Sequence, residues 1–216
     1  VFENVTDEGF TLSMWVNVSG DNGNYEKIFS ASPNELGATS SGNGNWELAD
    51  FALATGGNVY DMTLFAGAAG TSVDLFTKLN YDTHLSRNLW QHMIVSVSPD
   101  SYAVYFNGKE VGYEEVPESP NTGTTGIDSL STVLAALFQD DMIQSYSNVA
   151  IGRSQYTSDN DFKGQIDNVR FYTTALTEDQ AAELYALENP SEDETSEVPD
   201  PVYIWDFEGE DQTEAL

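Results

Sequence analysis

Apolar residues fall at every second position in TLSMWVNV (11–18), where Leu12, Met14, Val16 and Val18 alternate with Thr11, Ser13, Trp15 and Asn17. A period of two predicts a half-buried strand with one face on a core. Further strands are expected over 26–32 (EKIFSAS), 46–55 (WELADFALAT), 59–67 (VYDMTLFAG), 73–79 (VDLFTKL), 90–98 (WQHMIVSVS) and 148–154 (NVAIGRS). Residues 102–116 (YAVYFNGKEVGYEEV) carry the clearest hairpin, because Asn107-Gly108 supplies two residues that accept positive φ. Two stretches change period. Leu130, Val133, Leu134, Leu137 and Phe138 recur at helical spacing and predict an amphipathic helix over 127–142. In 176–187, Thr177 followed by Glu178, Asp179 and Gln180 reads as a capped helix start. Many short strands, turn signals every ~8–12 residues and no tandem repeat make a β-sandwich the expected fold class.

FKGQIDNVRFY (162–172) also reads as a turn and a strand, but it places Asp167 between Ile166 and Val169. A buried carboxylate needs a hydrogen bond, a counter-charge or a metal. Arg170, Arg153 and backbone amides are the partners that need no metal. After Leu187 the composition shifts. Residues 188–201 (ENPSEDETSEVPDP) are acidic and proline-rich and read as a linker, and VYIWDFEG (202–209) resumes a strand pattern. The expected organisation is a domain over 1–187, a linker over 188–201 and a strand within 202–216. The opening VFENVTDEGF reads as neither a signal peptide nor a native start, so the chain is expected to be a piece of a longer protein.

Charge narrows the partners. With 36 Asp and Glu against 7 Lys and Arg, the net charge is −29, which disfavours nucleic acid and anionic lipid. No apolar run approaches the ~18 residues of a membrane span. The chain has no cysteine, so disulfides, thiolate metal sites and thiol nucleophiles are out.

Five phrases, FTLSMWVNV, LWQHMIVSVS, YAVYFNGKEV, VAIGRSQY and FKGQIDNVRFYTTALTEDQAAELY, occur in an order and spacing that resembles the laminin-G-like family of the concanavalin A-like lectin/glucanase superfamily, over about Gly9 to Leu187. The resemblance implies an all-β jelly roll of two antiparallel sheets, with one or two short surface helices. It implies non-catalytic carbohydrate binding, as in bacterial modules attached to secreted glycoside hydrolases and surface proteins. The expected setting is therefore extracellular, either secreted or attached to the cell surface, beside neighbouring domains of the same polypeptide. A structural or protein-binding spacer without a sugar site is the alternative. In this family a phrase like VYIWDFEG usually comes first. Here it comes last, so it either docks back as the missing first strand or opens a following module. The resemblance also implies a structural Ca²⁺ at Asp167, with Asp206 or Glu208 nearby if the tail docks.

Sugar recognition needs aromatic faces for the apolar side of the ring and polar groups for the hydroxyls. Trp46, Tyr81, Tyr113 and Tyr156 are the candidate platforms, with Arg153 and Asp159 as polar neighbours that are equally suited to a local salt bridge. Trp15, Trp90 and Trp205 lie in strand phrases and are expected in the core. Catalysis is not expected. The paired acids of a retaining glycosidase must be held ~5–5.5 Å apart, and the comparable spacing here, EDETSE (192–197), lies in the linker. Glu114-Glu115 and Asp140-Asp141 are adjacent and would point to opposite faces of a strand. His84 and His92 have no nearby Ser/Asp arrangement that suggests a triad.

Overall fold

A computed structural model describes residues 1–19, 26–33, 51–55, 61–68, 75–84, 86–115, 129–154, 159–189 and 203–205, with backbone alone at 51–55, 61–68, 75–84, 113–115 and 203–205. The strands are β1 (Phe10–Val18), β2 (Lys27–Ser32), β3 (Phe51–Thr55), β4 (Asp61–Ala68), β5 (Leu75–His84), β6 (Trp90–Val97), β7 (Tyr102–Phe106), β8 (Lys109–Val111), β9 (Tyr113–Glu115), β10 (Asn148–Ile151), β11 (Gly164–Tyr172) and β12 (Tyr203–Trp205). The helices are α1 (Leu130–Leu137) and α2 (Glu178–Glu188). Two six-stranded sheets result, in the orders β12-β11-β1-β6-β7-β8 and β10-β2-β3-β4-β5-β9. Their strand ladders are antiparallel, as the family resemblance implies.

β1 lies in the middle of the first sheet, between β11 and β6. Phe10, Leu12, Met14, Val16 and Val18 enter the core between the sheets with Met93, Val95 and Val97 of β6 and Val169 and Phe171 of β11. Phe2, in a short 3-10 turn ahead of β1, packs edge-on against Phe10 and Phe171 at 5.1 and 4.9 Å between ring centres. The other face of β1 is not solvated: Thr11 and Ser13 are fully buried. The reason is α2, which lies across the outer face of the first sheet and forms a second apolar cluster with it from Ile94, Tyr105, Tyr172, Leu176, Ala181 and Leu184. The half-buried strand expected at 11–18 is therefore covered on both faces along most of its length.

Both helices form where the pattern places them, with different lengths. Thr177 caps α2, accepting the Gln180 N–H while the Gln180 side chain accepts the Thr177 N–H. Ser129 caps α1 by accepting the Thr132 N–H. The helix expected over 127–142 is shorter, because Asp140 and Asp141 turn left-handed at φ 52° and 58° and a 3-10 turn follows at Ile143–Ser145. Leu130, Val133, Leu134 and Leu137 of α1 join the main core.

Two local devices set the geometry of the first sheet. The β7–β8 hairpin turns at Asn107 and Gly108, both with positive φ (50° and 72°). Between β1 and β11 the register slips: Ser13 faces Arg170 and Trp15 faces Asp167, so Asn168 and Val169 together oppose Met14. That is a β-bulge with Asn168 left-handed at φ 49°. It explains the spacing that looked wrong in QIDNVRF. Val169 returns to the core, three residues after Ile166 instead of two, and Asp167 and Arg170 share the outer face. The short β12 extends this sheet, pairing with β11 through Tyr203–Phe171, Ile204–Arg170 and Trp205–Val169.

Candidate functional site

Tyr81 and Tyr113, two of the expected sugar platforms, lie on neighbouring strands of the second sheet and stand directly opposite one another in the β5–β9 ladder. Opposed positions in an antiparallel ladder lie on one face, about 4.5–5.5 Å apart. β9 is the edge strand, so this pair occupies the rim of the sheet. Trp46 and Tyr156 lie outside the described residues.

Arg153 and Asp159 diverge in role. Asp159 accepts a 2.6 Å hydrogen bond from the Ser154 hydroxyl, and its Oδ2 lies 3.3 Å from the buried Lys27 ammonium. Such a pair is a structural tie between β2 and the segment leading to β11. Beside it, fully buried Glu26 accepts the Lys163 backbone N–H at 3.1 Å. Arg153 holds the end of β10 through its carbonyl, which accepts from Ser30 at 2.9 Å, while its guanidinium is exposed 3.9 Å from Asp161.

Asp167 is half-buried, and its Oδ1 accepts the Asn168 N–H at 2.8 Å, closing the bulge. Arg170 pairs with Glu188 and Arg153 with Asp161, so the arginines suggested as Asp167 partners are engaged elsewhere. A Ca²⁺ takes six to eight oxygens. Among the described residues no group of three or more acidic or histidine side chains could hold a metal. The described surroundings of Asp167 thus do not make a calcium cradle by themselves. Asp206 and Glu208, the other expected ligands, lie outside the described residues.

A polar node that the linear pattern did not announce lies under the end of α2. The His92 ring stacks on Trp15 and on Tyr185 at 5.2 and 5.8 Å, and those two rings lie 6.1 Å from each other, so the three form a cluster. Its Nε2 is 2.8 Å from the Ser13 hydroxyl and 3.8 Å from Glu188 Oε2. Glu188 also accepts the Trp15 indole N–H and pairs with the Arg170 guanidinium. Burial first, and the Arg170 charge second, lower the His92 pKa to about 3, so the ring is neutral. Ser13, His92 and Glu188 are therefore neighbours. They do not form a triad. The acid must hold the far ring nitrogen, Nδ1. Here acid and hydroxyl approach the same nitrogen, and Ser13 is fully buried. The node locks α2 to β1, β6 and β11.

Trp90 corrects a second expectation. Its strand phrase places it in the core, yet it is 43% exposed at the start of β6, next to Leu89 at 60%. It stands opposite Asn17, which in turn stands opposite Gln165. This row falls on the outer face, one step beyond Trp15 and His92, where the cover of α2 ends.

Among the described residues no helix is long and apolar enough to cross a membrane. No curated protein matches the sequence significantly. Solved structures share the fold at low identity. Domain 4 of a GH43 extracellular arabinanase from Geobacillus stearothermophilus, in complex with arabinotriose, is 18% identical, with 85% of this chain and 69% of that chain covered and a TM-score of 0.48. A SAP-like pentraxin from Limulus polyphemus is 17% identical, covering 82% and 70%, with a TM-score of 0.44. Trypanosoma rangeli sialidase, in complex with 2,3-difluorosialic acid, is 16% identical with a TM-score of 0.51; the match takes in 87% of this chain but only 24% of the sialidase. A laminin G family model, described as concanavalin A-like lectin/glucanases superfamily, matches residues 2–132, more than half of the chain. With its two antiparallel six-stranded sheets and two short helices, the chain belongs to the concanavalin A-like lectin/glucanases superfamily.

Proposed function

We propose that this domain is a non-catalytic carbohydrate-binding module of a larger secreted or cell-surface protein, which it brings to a glycan. The observation that carries the reading is the Tyr81–Tyr113 register pair at the rim of the second sheet. Tyrosines at opposed register positions suit such a role, because a phenol ring can take the apolar face of a sugar, as the family's lectin-like fold allows. The net charge of −29 favours a neutral glycan over an acidic one. Three of the described carboxylates, Asp159, Glu26 and Glu188, bind cations or backbone within the fold.

The test is binding to a printed array of neutral and acidic glycans, with wild type beside Tyr81→Ala and Tyr113→Ala. Binding to a neutral class that falls about tenfold in each variant is expected. Absence of binding to every glycan would replace this reading with that of a spacer. Binding indifferent to both substitutions would move the site elsewhere.

A further inference from the structure

We infer that the first sheet carries a separate sugar-contact site on its outer face, built from Trp90 with Asn17 and Gln165 following it in one row, and that it takes a neutral saccharide. The argument starts from register. Gln165 on β11, Asn17 on β1 and Trp90 on β6 form one row across three adjacent strands. Neighbouring strands are ~4.8 Å apart, so the row spans ~10 Å. All three positions share the face that α2 covers further along, where Trp15 and His92 lie beneath Tyr185 and Glu188. Beyond Glu188 that cover stops. Gln165 is exposed, Asn17 half-buried, and the Trp90 indole is open to solvent.

The chemistry of the row is that of a saccharide subsite. An indole at the surface offers a flat apolar face to the C–H side of a pyranose. Each flanking amide can both donate and accept, as a sugar hydroxyl requires. The Asn17 Nδ2 donates to Gln165 Oε1 at 3.4 Å, a long bond that orders the two side chains and leaves most of their hydrogen-bonding capacity for a ligand. Asp167 is two residues along β11 on the same face, so a further acceptor borders the row. None of these side chains is basic, which suits a neutral sugar and not a sulfated or uronic one. This site is independent of the Tyr81–Tyr113 rim, which belongs to the other sheet.

Affinity electrophoresis decides the matter. Wild type, Trp90→Ala, Gln165→Ala and the Tyr81→Ala/Tyr113→Ala double variant are run through native gels containing soluble arabinan, xylan, laminarin or galactomannan. Melting temperatures of the Trp90 and Gln165 variants establish that they fold, as exposed positions should. The expected result is that Trp90→Ala weakens retardation by at least one polysaccharide about tenfold, with a smaller loss for Gln165→Ala. The tryptophan emission of wild type, but not of Trp90→Ala, shifts to the blue on adding that polysaccharide. The inference is overturned if both variants migrate as wild type in every gel that retards wild type, or if none of the four polysaccharides retards it. Loss confined to the tyrosine double variant would keep the rim site and remove this one; loss confined to Trp90→Ala would do the reverse. A change in self-association on gel filtration, with retardation untouched, would make the face a protein contact and also overturn it.

Discussion

The indole N–H of Trp15, in the middle of β1, donates to the carboxylate of Glu188, the last residue of α2. The same carboxylate pairs with Arg170 on β11, so one buried acid joins the helix to two strands. Removing one partner from a buried pair strands the other. Glu188→Ala is therefore expected to lower the unfolding free energy in urea by about 3 kcal/mol. A double-mutant cycle with Arg170→Ala should show coupling well above the ~0.5 kcal/mol scatter of independent sites. Additive losses would mean that the two side chains do not act as a pair.

His92 makes stability depend on pH. Its folded pKa of about 3 lies below the 6.5 of an exposed imidazole, so the unfolded chain binds the proton first. The stabilisation is complete above pH 6.5 and is lost as pH falls toward 3. Between pH 6 and 5, ahead of most carboxylates, wild type should lose up to about 1.4 kcal/mol per pH unit. His92→Gln should flatten that slope while lowering stability at pH 7. Equal slopes in the two proteins would place the acid sensitivity elsewhere.

Gly108 is confined from two sides. Its φ is +72°, and an added Cβ would lie 2.9 Å from the Tyr185 ring. Gly108→Ala should cost about 1–2 kcal/mol for the backbone alone, with the ring contact adding to it. Made in a Tyr185→Ala background, the same change should cost less, and thermal melting of the four proteins separates the two contributions.

The bulge makes its own demand. Asn168 at φ +49° tolerates glycine and resists branched residues, so Asn168→Val should destabilise by about 1–2 kcal/mol and Asn168→Gly by little. Asp167→Ala removes the acceptor for the Asn168 N–H and should cost about 1 kcal/mol. Melting wild type and Asp167→Ala in calcium and in EDTA tests the expected metal. A bulge-closing role predicts that neither protein responds to chelation; a cation site would make wild type alone respond.

What could be read from the sequence was local. The alternation of β1, the Asn107-Gly108 turn and the Thr177–Gln180 capping box each depend on residues a few positions apart, and each formed where the pattern put it. What escaped depended on partners far along the chain. Alternation marks Trp15 and Trp90 as residues of one strand face or the other, but it cannot say where a helix laid over that face will stop. The helix end itself was legible, since Asn189-Pro190 stops it; its placement over the sheet depends on Glu188 meeting Arg170 and Trp15, and in sequence Glu188 looks like the first acid of a run of them. The Asp-Asn pair at 167–168 is the composition a left-handed bulge favours, yet the same two residues are equally at home in a metal site. The opposition of Tyr81 and Tyr113 rests on a register between strands about thirty residues apart, which no short-range pattern encodes.

The pairing of β12 with β11 has a mechanical consequence. A pull on the chain beyond Trp205 loads three antiparallel rungs from one end, so they open singly, like a zipper, with no rung sharing the load of the next. Thirteen residues, 190 to 202, separate those rungs from α2, a length of at most roughly 45 Å. There the load meets Glu188, braced sideways against two strands at once. Three rungs hold β12 where seven join β1 to β11, so the tail would yield before the sandwich does.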